Sequence, residues 1–338
     1  MNHLKSIILA STLISGFSTT ANADINVIAS VKPIHSLVSG VMEGAGKPDL
    51  IVKGSASPHT YSLKPSQAKQ LEEADLVFWM GHELESFLEK PLEAIATSAH
   101  VVELIDSSNL KKIEMREGGM FDSHAHDEHE GHDDHDEHEG HDDHDEHEGH
   151  DDHDEHEGHD DHGHGEFDVH VWLDPENAKV LVNEIKLALI ELDPVNASKY
   201  EANSNKMNTK LDQLIDEVSK KLESEQGKGY VVFHDAYQYF EQRFGMSAVG
   251  SITVSPEVVP GANRIRELKE KINELNAHCV FSEPQFEPKL VSTVIEGTQA
   301  NTGVLDPLGA SIKDGPELYF TLIRNMADSL HECLSKKD

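Results

Sequence analysis

One stretch of this chain cannot build a core. The nine-residue unit His-Asp-Glu-His-Glu-Gly-His-Asp-Asp occurs four times without change, at 126–134, 135–143, 144–152 and 153–161. None of its positions is apolar, so it has nothing to bury against the entropy of ordering its backbone. It predicts a disordered loop over 122–165, and the folded protein must be assembled from the chain on either side.

The same run is dense in metal-ligating side chains. From His124 to His164 it holds 15 of the chain's 24 histidines. These are His124, His126, His129, His132, His135, His138, His141, His144, His147, His150, His153, His156, His159, His162 and His164. Imidazoles mixed with carboxylates suit divalent transition metals, so the run reads as an array of weak auxiliary metal sites. The alternative is a solvated spacer, which needs charge but has no need of histidine. Metal loading should weaken in mild acid, as imidazoles protonate below about pH 6.5.

The first 23 residues read as a secretory signal. Lys5 supplies a positive start, 6–17 a short apolar run, and Ala21-Asn22-Ala23 a cleavage site. The apolar run is too short to span a bilayer, and no later run is long enough. No Cys lies near the cleavage site, so no lipid anchor is expected. The expected product is exported, with no direct membrane anchor.

Charge narrows the partners. The net charge is −35, and the four repeats contribute 20 acidic residues without Lys or Arg. The remaining mature chain is moderately acidic, which argues against nucleic acid or an anionic membrane and suits a cation.

Only two cysteines occur, Cys279 and Cys333. In an exported chain such a pair reads most simply as a disulfide, with two separate buried thiols as the alternative. No CxxC or CxxH spacing points to a cysteine metal site.

Outside the repeat, strand and helix patterns alternate. Strands are expected at 25–31, 49–53, 75–80 and 100–105, with helices from Pro33, Pro65 and about Leu84. After the repeat, Pro175 opens a helix to Leu192 and Pro194 opens a longer one to about Ser224. That second helix has one apolar face (Met207, Leu211, Leu214, Ile215, Val218, Leu222). Strands then recur at 230–233, 248–254, 279–281 and 303–305, with helices reaching Phe244, spanning 262–276 and 288–300, and running from Gly315 to Leu334. Alternation of this kind predicts an α/β protein with parallel sheets. The expectation is two (βα)4-type lobes joined by one long backbone helix. The first lobe would span 24–175, a helical segment with the linker helix 176–226, and the second lobe 227–338.

Ligands collect at the carboxyl ends of parallel strands. His59 follows the second strand, His234 follows Tyr230-Val231-Val232-Phe233, and Asp306 follows Val304-Leu305. His170 sits in the apolar alternation Val169-His170-Val171-Trp172, where a solvated face would not put it. Three neutral imidazoles with an oxygen as fourth ligand would make a tetrahedral zinc site. His35 and His82 also lie near strand ends and are not excluded by spacing. Asp306 could instead turn the loop before Pro307, Asp235 could cap the following helix, and Trp79 and Trp172 read as packing.

Five stretches carry a family resemblance. They are Pro58-His59-Thr60-Tyr61-Ser62-Leu63-Lys64-Pro65-Ser66, Asp168-Val169-His170-Val171-Trp172-Leu173-Asp174-Pro175, Phe233-His234-Asp235-Ala236-Tyr237, Phe281-Ser282-Glu283-Pro284-Gln285 and Leu305-Asp306-Pro307-Leu308-Gly309. Together they resemble the metal-specific solute-binding proteins of bacterial ABC importers, and among these the periplasmic zinc members. The resemblance implies two lobes on one backbone helix with limited hinge motion. It implies His59, His170 and His234 as ligands, with Asp306 or water as a fourth. It implies zinc rather than manganese or iron, because those members usually carry Glu where this chain has His234. The Cys279–Cys333 pair resembles a disulfide of some zinc members. The implied partners are Zn2+ as transported ligand and an inner-membrane ABC permease with its cytoplasmic ATPase, served by a monomer.

Two other classes stand beside this one. A zinc hydrolase could use three histidines and an open position, but no HExxH is present and Glu283 is the nearest candidate base. A zinc buffer or adhesin would make the repeat the working part and the lobes its scaffold.

Overall fold

The computed structural model describes residues 25–116, 121, 167–253, 261–275, 277–286 and 289–336. The expected signal peptide and the auxiliary histidines from His124 to His164 lie outside the described residues.

The first half forms four parallel strands: β1 (Val27–Ala29), β2 (Asp49–Leu50), β3 (Leu76–Trp79) and β4 (His100–Glu103), in the order β2-β1-β3-β4. β1 and β3 are buried throughout, as expected of apolar runs in a sheet covered on both faces. Helices α1 (Lys32–Val41), α2 (Pro65–Glu72) and α3 (His82–Ala94) make the crossovers. Pro33 and Pro65 each sit in the first turn of a helix, where the missing N–H forfeits no bond.

The second half repeats the plan. β5 (Tyr230–His234), β6 (Ala248–Thr253), β7 (Cys279–Ser282) and β8 (Asn301–Val304) form a second parallel sheet in the order β6-β5-β7-β8. In both sheets the first strand of the unit lies between the second and the third. That reversal is the switch point at which ligands settle in such folds.

Two helices come between the sheets. α4 (Pro175–Leu192) starts cleanly because the Asp174 side chain accepts the Glu176 N–H at 2.9 Å and Pro175 follows it. α5 (Ala197–Leu222) has 26 residues, about 39 Å at 1.5 Å per residue. Its buried face runs through Tyr200, Met207, Leu211, Leu214, Val218 and Leu222. It packs on α1 and α4 on the first-lobe side. On the other side it meets α6 (Gln238–Phe244) and α9 (Leu318–Leu334). One apolar core therefore runs through both lobes. A smaller cluster of Val231, Phe233, Ile252 and Val280 lies in the second sheet, joined by Leu268 and Ile272 of α7 (Ala262–Glu274) and Val291 and Val294 of α8 (Lys289–Ile295). Among the described residues, no helix is long and apolar enough to cross a membrane.

Several elements are shorter than expected, among them β2, α7 and the start of α9, and two further helices differ for local reasons. The stretch from Pro194 first makes a 3-10 turn over Pro194–Asn196, and α5 begins after it. The helix expected to reach Ala300 stops at Ile295. Gly297 then adopts φ +82°, a left-handed conformation that ends helices and favours glycine.

Direct hydrogen bonds and an ion pair fasten the lobes to each other. Lys32, buried at the start of α1, donates to the carbonyls of Ala310 (3.2 Å) and Ile312 (2.8 Å) and pairs with Asp314 at 3.1 Å. Trp172 Nε1 donates to the Pro307 carbonyl at 2.9 Å, and the Tyr319 hydroxyl donates to the Trp172 carbonyl at 2.6 Å. Cys279 on β7 and Cys333 on α9 form a disulfide, with Cα atoms 6.2 Å apart.

Candidate metal centre

Three histidines from three separate elements meet between the lobes. His59 lies in the 3-10 turn Pro58–Thr60 beyond β2. His170 immediately precedes the 3-10 turn Val171–Leu173 that leads into α4. His234 is the last residue of β5, at the switch point of the second sheet. Ring centroids are 5.7 Å apart for His59–His170, 6.0 Å for His59–His234 and 5.3 Å for His170–His234. One ligand atom from each falls within 4.8 Å of the others, a spacing that could hold a metal ion.

Two carboxylates fix the direction of two of these rings. His170 Nδ1 lies 2.7 Å from Asp168 Oδ1, and His234 Nδ1 lies 2.7 Å from Glu283 Oε1. A carboxylate only accepts, so each Nδ1 carries a proton. The two Nε2 atoms face each other at 3.4 Å. When the rings are neutral, both Nε2 lone pairs point at one place, where a cation can bind.

Electrostatics differ between the ligands. Burial pushes the His59 pKa well below its ordinary 6.5, and the neighbouring His170 and His234 push it the same way. Burial also disfavours the charged form of His234. Glu283 outweighs it, with help from Asp168 and Asp235, and its pKa is raised. A neutral His59 beside a His234 made more basic by its carboxylate is a donor set suited to a divalent cation.

The space enclosed is small. A cavity of about 10 Å³ lies between the rings, room for roughly one water-sized occupant. Leu84, Trp172, Phe286, Pro307 and Leu308 wall it, so an ion held there would sit in apolar surroundings.

The whole chain also matches a known family: residues 27–333 fit the model of ZnuA, the periplasmic component A of zinc-uptake complexes. This chain belongs to the ZnuA family. It is 55% identical to the high-affinity zinc uptake system protein ZnuA of Brucella suis biovar 1, over 99% of this chain and 100% of that one. It is 36% identical to the protein of the same name from Yersinia pestis, over 98% of each chain. The fold is similar to that of the periplasmic zinc binding protein TroA from Treponema pallidum. The TM-score there is 0.73 at 18% identity, over 93% of this chain and 100% of that one.

Asp306, a candidate fourth ligand, lies outside the three-histidine cluster. Its Oδ1 accepts the N–H of Leu308 (3.1 Å) and Gly309 (2.9 Å) and the Gln285 side-chain amide (3.0 Å). Its Oδ2 accepts the Ala310 N–H at 2.6 Å. It shapes the 306–310 turn, as an Asp before Pro-x-Gly can. His35 and His82 are also elsewhere: His35 Nε2 pairs with the Pro48 carbonyl at 3.1 Å, and His82 with Glu89 at 2.9 Å. Asp235 does not cap α6 but pairs with Arg116.

The sequence reading did not assign the orienting roles of Asp168 and Glu283. The signal for Asp168 was its two-residue spacing from His170. For Glu283 it was position: β5 and β7 are neighbours in the sheet, so residues just past their ends lie side by side.

Proposed function

We propose that this chain is the periplasmic capture protein of a zinc importer, binding Zn2+ through His59, His170 and His234 and passing it to an inner-membrane ABC permease. The facing Nε2 atoms of His170 and His234, with His59 beside them, carry this reading, because one cation can meet all three rings. Imidazole is a softer donor than carboxylate, so a three-histidine set favours zinc over manganese. With Asp306 engaged by four donors, water is the fourth ligand. The 1–23 segment is a cleaved export signal, and the histidines from His124 to His164 are auxiliary weak sites. The protein acts as a monomer.

The chain is not a hydrolase in this reading. Glu283, the nearest candidate base, is spent on His234 Nδ1. The experiment is zinc binding by His170→Ala and His234→Ala variants lacking residues 122–165. Each should lose tight binding. Tight binding that survives either substitution would overturn the assignment.

A further inference from the structure

We infer that Arg116 is a positioning residue for the zinc site, a latch that ties the stem of the His-rich insertion to Asp235 and so fixes His234 relative to His170. The inference rests on the zinc-capture reading above and deepens it.

Residues 107–116 leave the first lobe beyond β4. The two ends of the insertion then meet. Glu114 and Phe167 form an antiparallel bridge, and the Asp168 N–H donates to the Ile113 carbonyl at 2.8 Å. This stem lies along α6 of the second lobe. Tyr239 joins both of its strands, accepting the Ile113 N–H at 3.0 Å and donating to the Asp168 carbonyl at 2.7 Å. Lys111 Nζ donates to Gln242 Oε1 at 2.8 Å.

Arg116 closes the arrangement. Its Nε donates to Asp235 Oδ2 at 3.0 Å and its Nη2 to Asp235 Oδ1. Its Nη1 donates to Glu241 Oε2 at 2.7 Å, and its Nη2 lies 3.4 Å from Glu241 Oε1. The Phe121 ring stacks 4.0 Å from the guanidinium carbon. Two carboxylates held in a planar fork are a geometry that Arg can satisfy and Lys only in part.

The two halves of the fork do different things. The Glu241 side chain is only 4% exposed, and a carboxylate so deep needs a cation beside it. That half serves the fold. The Asp235 side chain is 14% exposed, and it is bonded directly to His234. Across the stem, Asp168 holds the His170 ring. Arg116 therefore joins the backbone neighbour of one ligand to the strand pair that carries the orienting carboxylate of the other. The latch holds the two rings in register and keeps the site preorganised for the ion.

The test uses the full mature chain loaded with zinc and mixed with excess chelator, following the slow phase of zinc release. Asp235→Asn and Arg116→Gln should each speed release roughly three- to thirtyfold, the range expected for a residue that biases a site it does not touch. The double variant should release no faster than Arg116→Gln alone, and Arg116→Lys should recover part of the effect. The thermal midpoint of zinc-free Asp235→Asn should match the parent, which separates positioning from folding. Unchanged release in Asp235→Asn, multiplying effects in the double variant, or a midpoint that falls in step with release would each overturn the latch. His234→Ala is the reference. If it still binds tightly, the zinc-site reading fails. If it alone loses zinc while the latch variants behave as the parent, only the latch fails.

Discussion

Glu283 stands 2.7 Å from His234 Nδ1, across the carboxyl ends of neighbouring strands β7 and β5. This pair holds the proton on Nδ1, turns Nε2 toward the His59 and His170 rings, and makes the imidazole a better donor. Glu283→Gln keeps an acceptor but removes the charge. Zinc affinity should fall by about 10- to 100-fold, measured by competition with a chelator, and one equivalent should still bind.

Asp306 makes the opposite prediction. Its oxygens are occupied by three backbone amides and Gln285, so Asp306→Ala should leave zinc stoichiometry and affinity unchanged. Stability should drop by about 1–3 kcal/mol, because buried donors lose their acceptor. Denaturant unfolding of the zinc-free protein reads the second effect, and a chelator titration reads the first.

Glu85 should give the zinc-free protein a visible pH dependence. This fully buried carboxyl sits where α3 kinks, accepting the Met80 N–H at 2.7 Å, and burial raises its pKa from 4.5 to about 7. The folded state holds the proton in a range where the unfolded chain has released it. Its contribution is therefore complete below about pH 4.5 and is lost as the pH rises through about 7, an effect on the order of 3 kcal/mol. Unfolding free energies of parent and Glu85→Gln between pH 4.5 and 8 should diverge in that direction, with the parent losing more as pH rises.

The disulfide closes a loop with a sequence separation of 54. Replacing Cys279 and Cys333 with Ser should cost about 4 kcal/mol by chain entropy. Calorimetry should show a lower midpoint with tight zinc binding retained, since neither sulfur is in the metal cluster.

Much of this architecture was legible in the sequence because its signals are local. Pro33, Pro65 and Pro175 mark helix starts, and the apolar runs of β1, β3 and β5 mark buried parallel strands. His170 stood out inside an apolar alternation, and His234 directly after an apolar strand run. What could not be read depends on contacts between distant residues. Asp306 could be read from sequence either as a ligand or as a loop-turning residue, and only the path of the 306–310 turn shows its oxygens meeting backbone amides. Arg116 carries no local signal at all: its partners Asp235 and Glu241 lie more than a hundred residues away. The helix after β7 was overestimated at 300, because a single Gly297 inside a helical pattern does not announce its left-handed conformation.

The most direct test of the central claim is a zinc titration, against a competing chelator, of the mature protein with residues 122–165 deleted. The account predicts one tight equivalent, held by His59, His170 and His234, surviving the deletion. Loss of all tight binding would contradict it, and would make the repeated histidines the metal site.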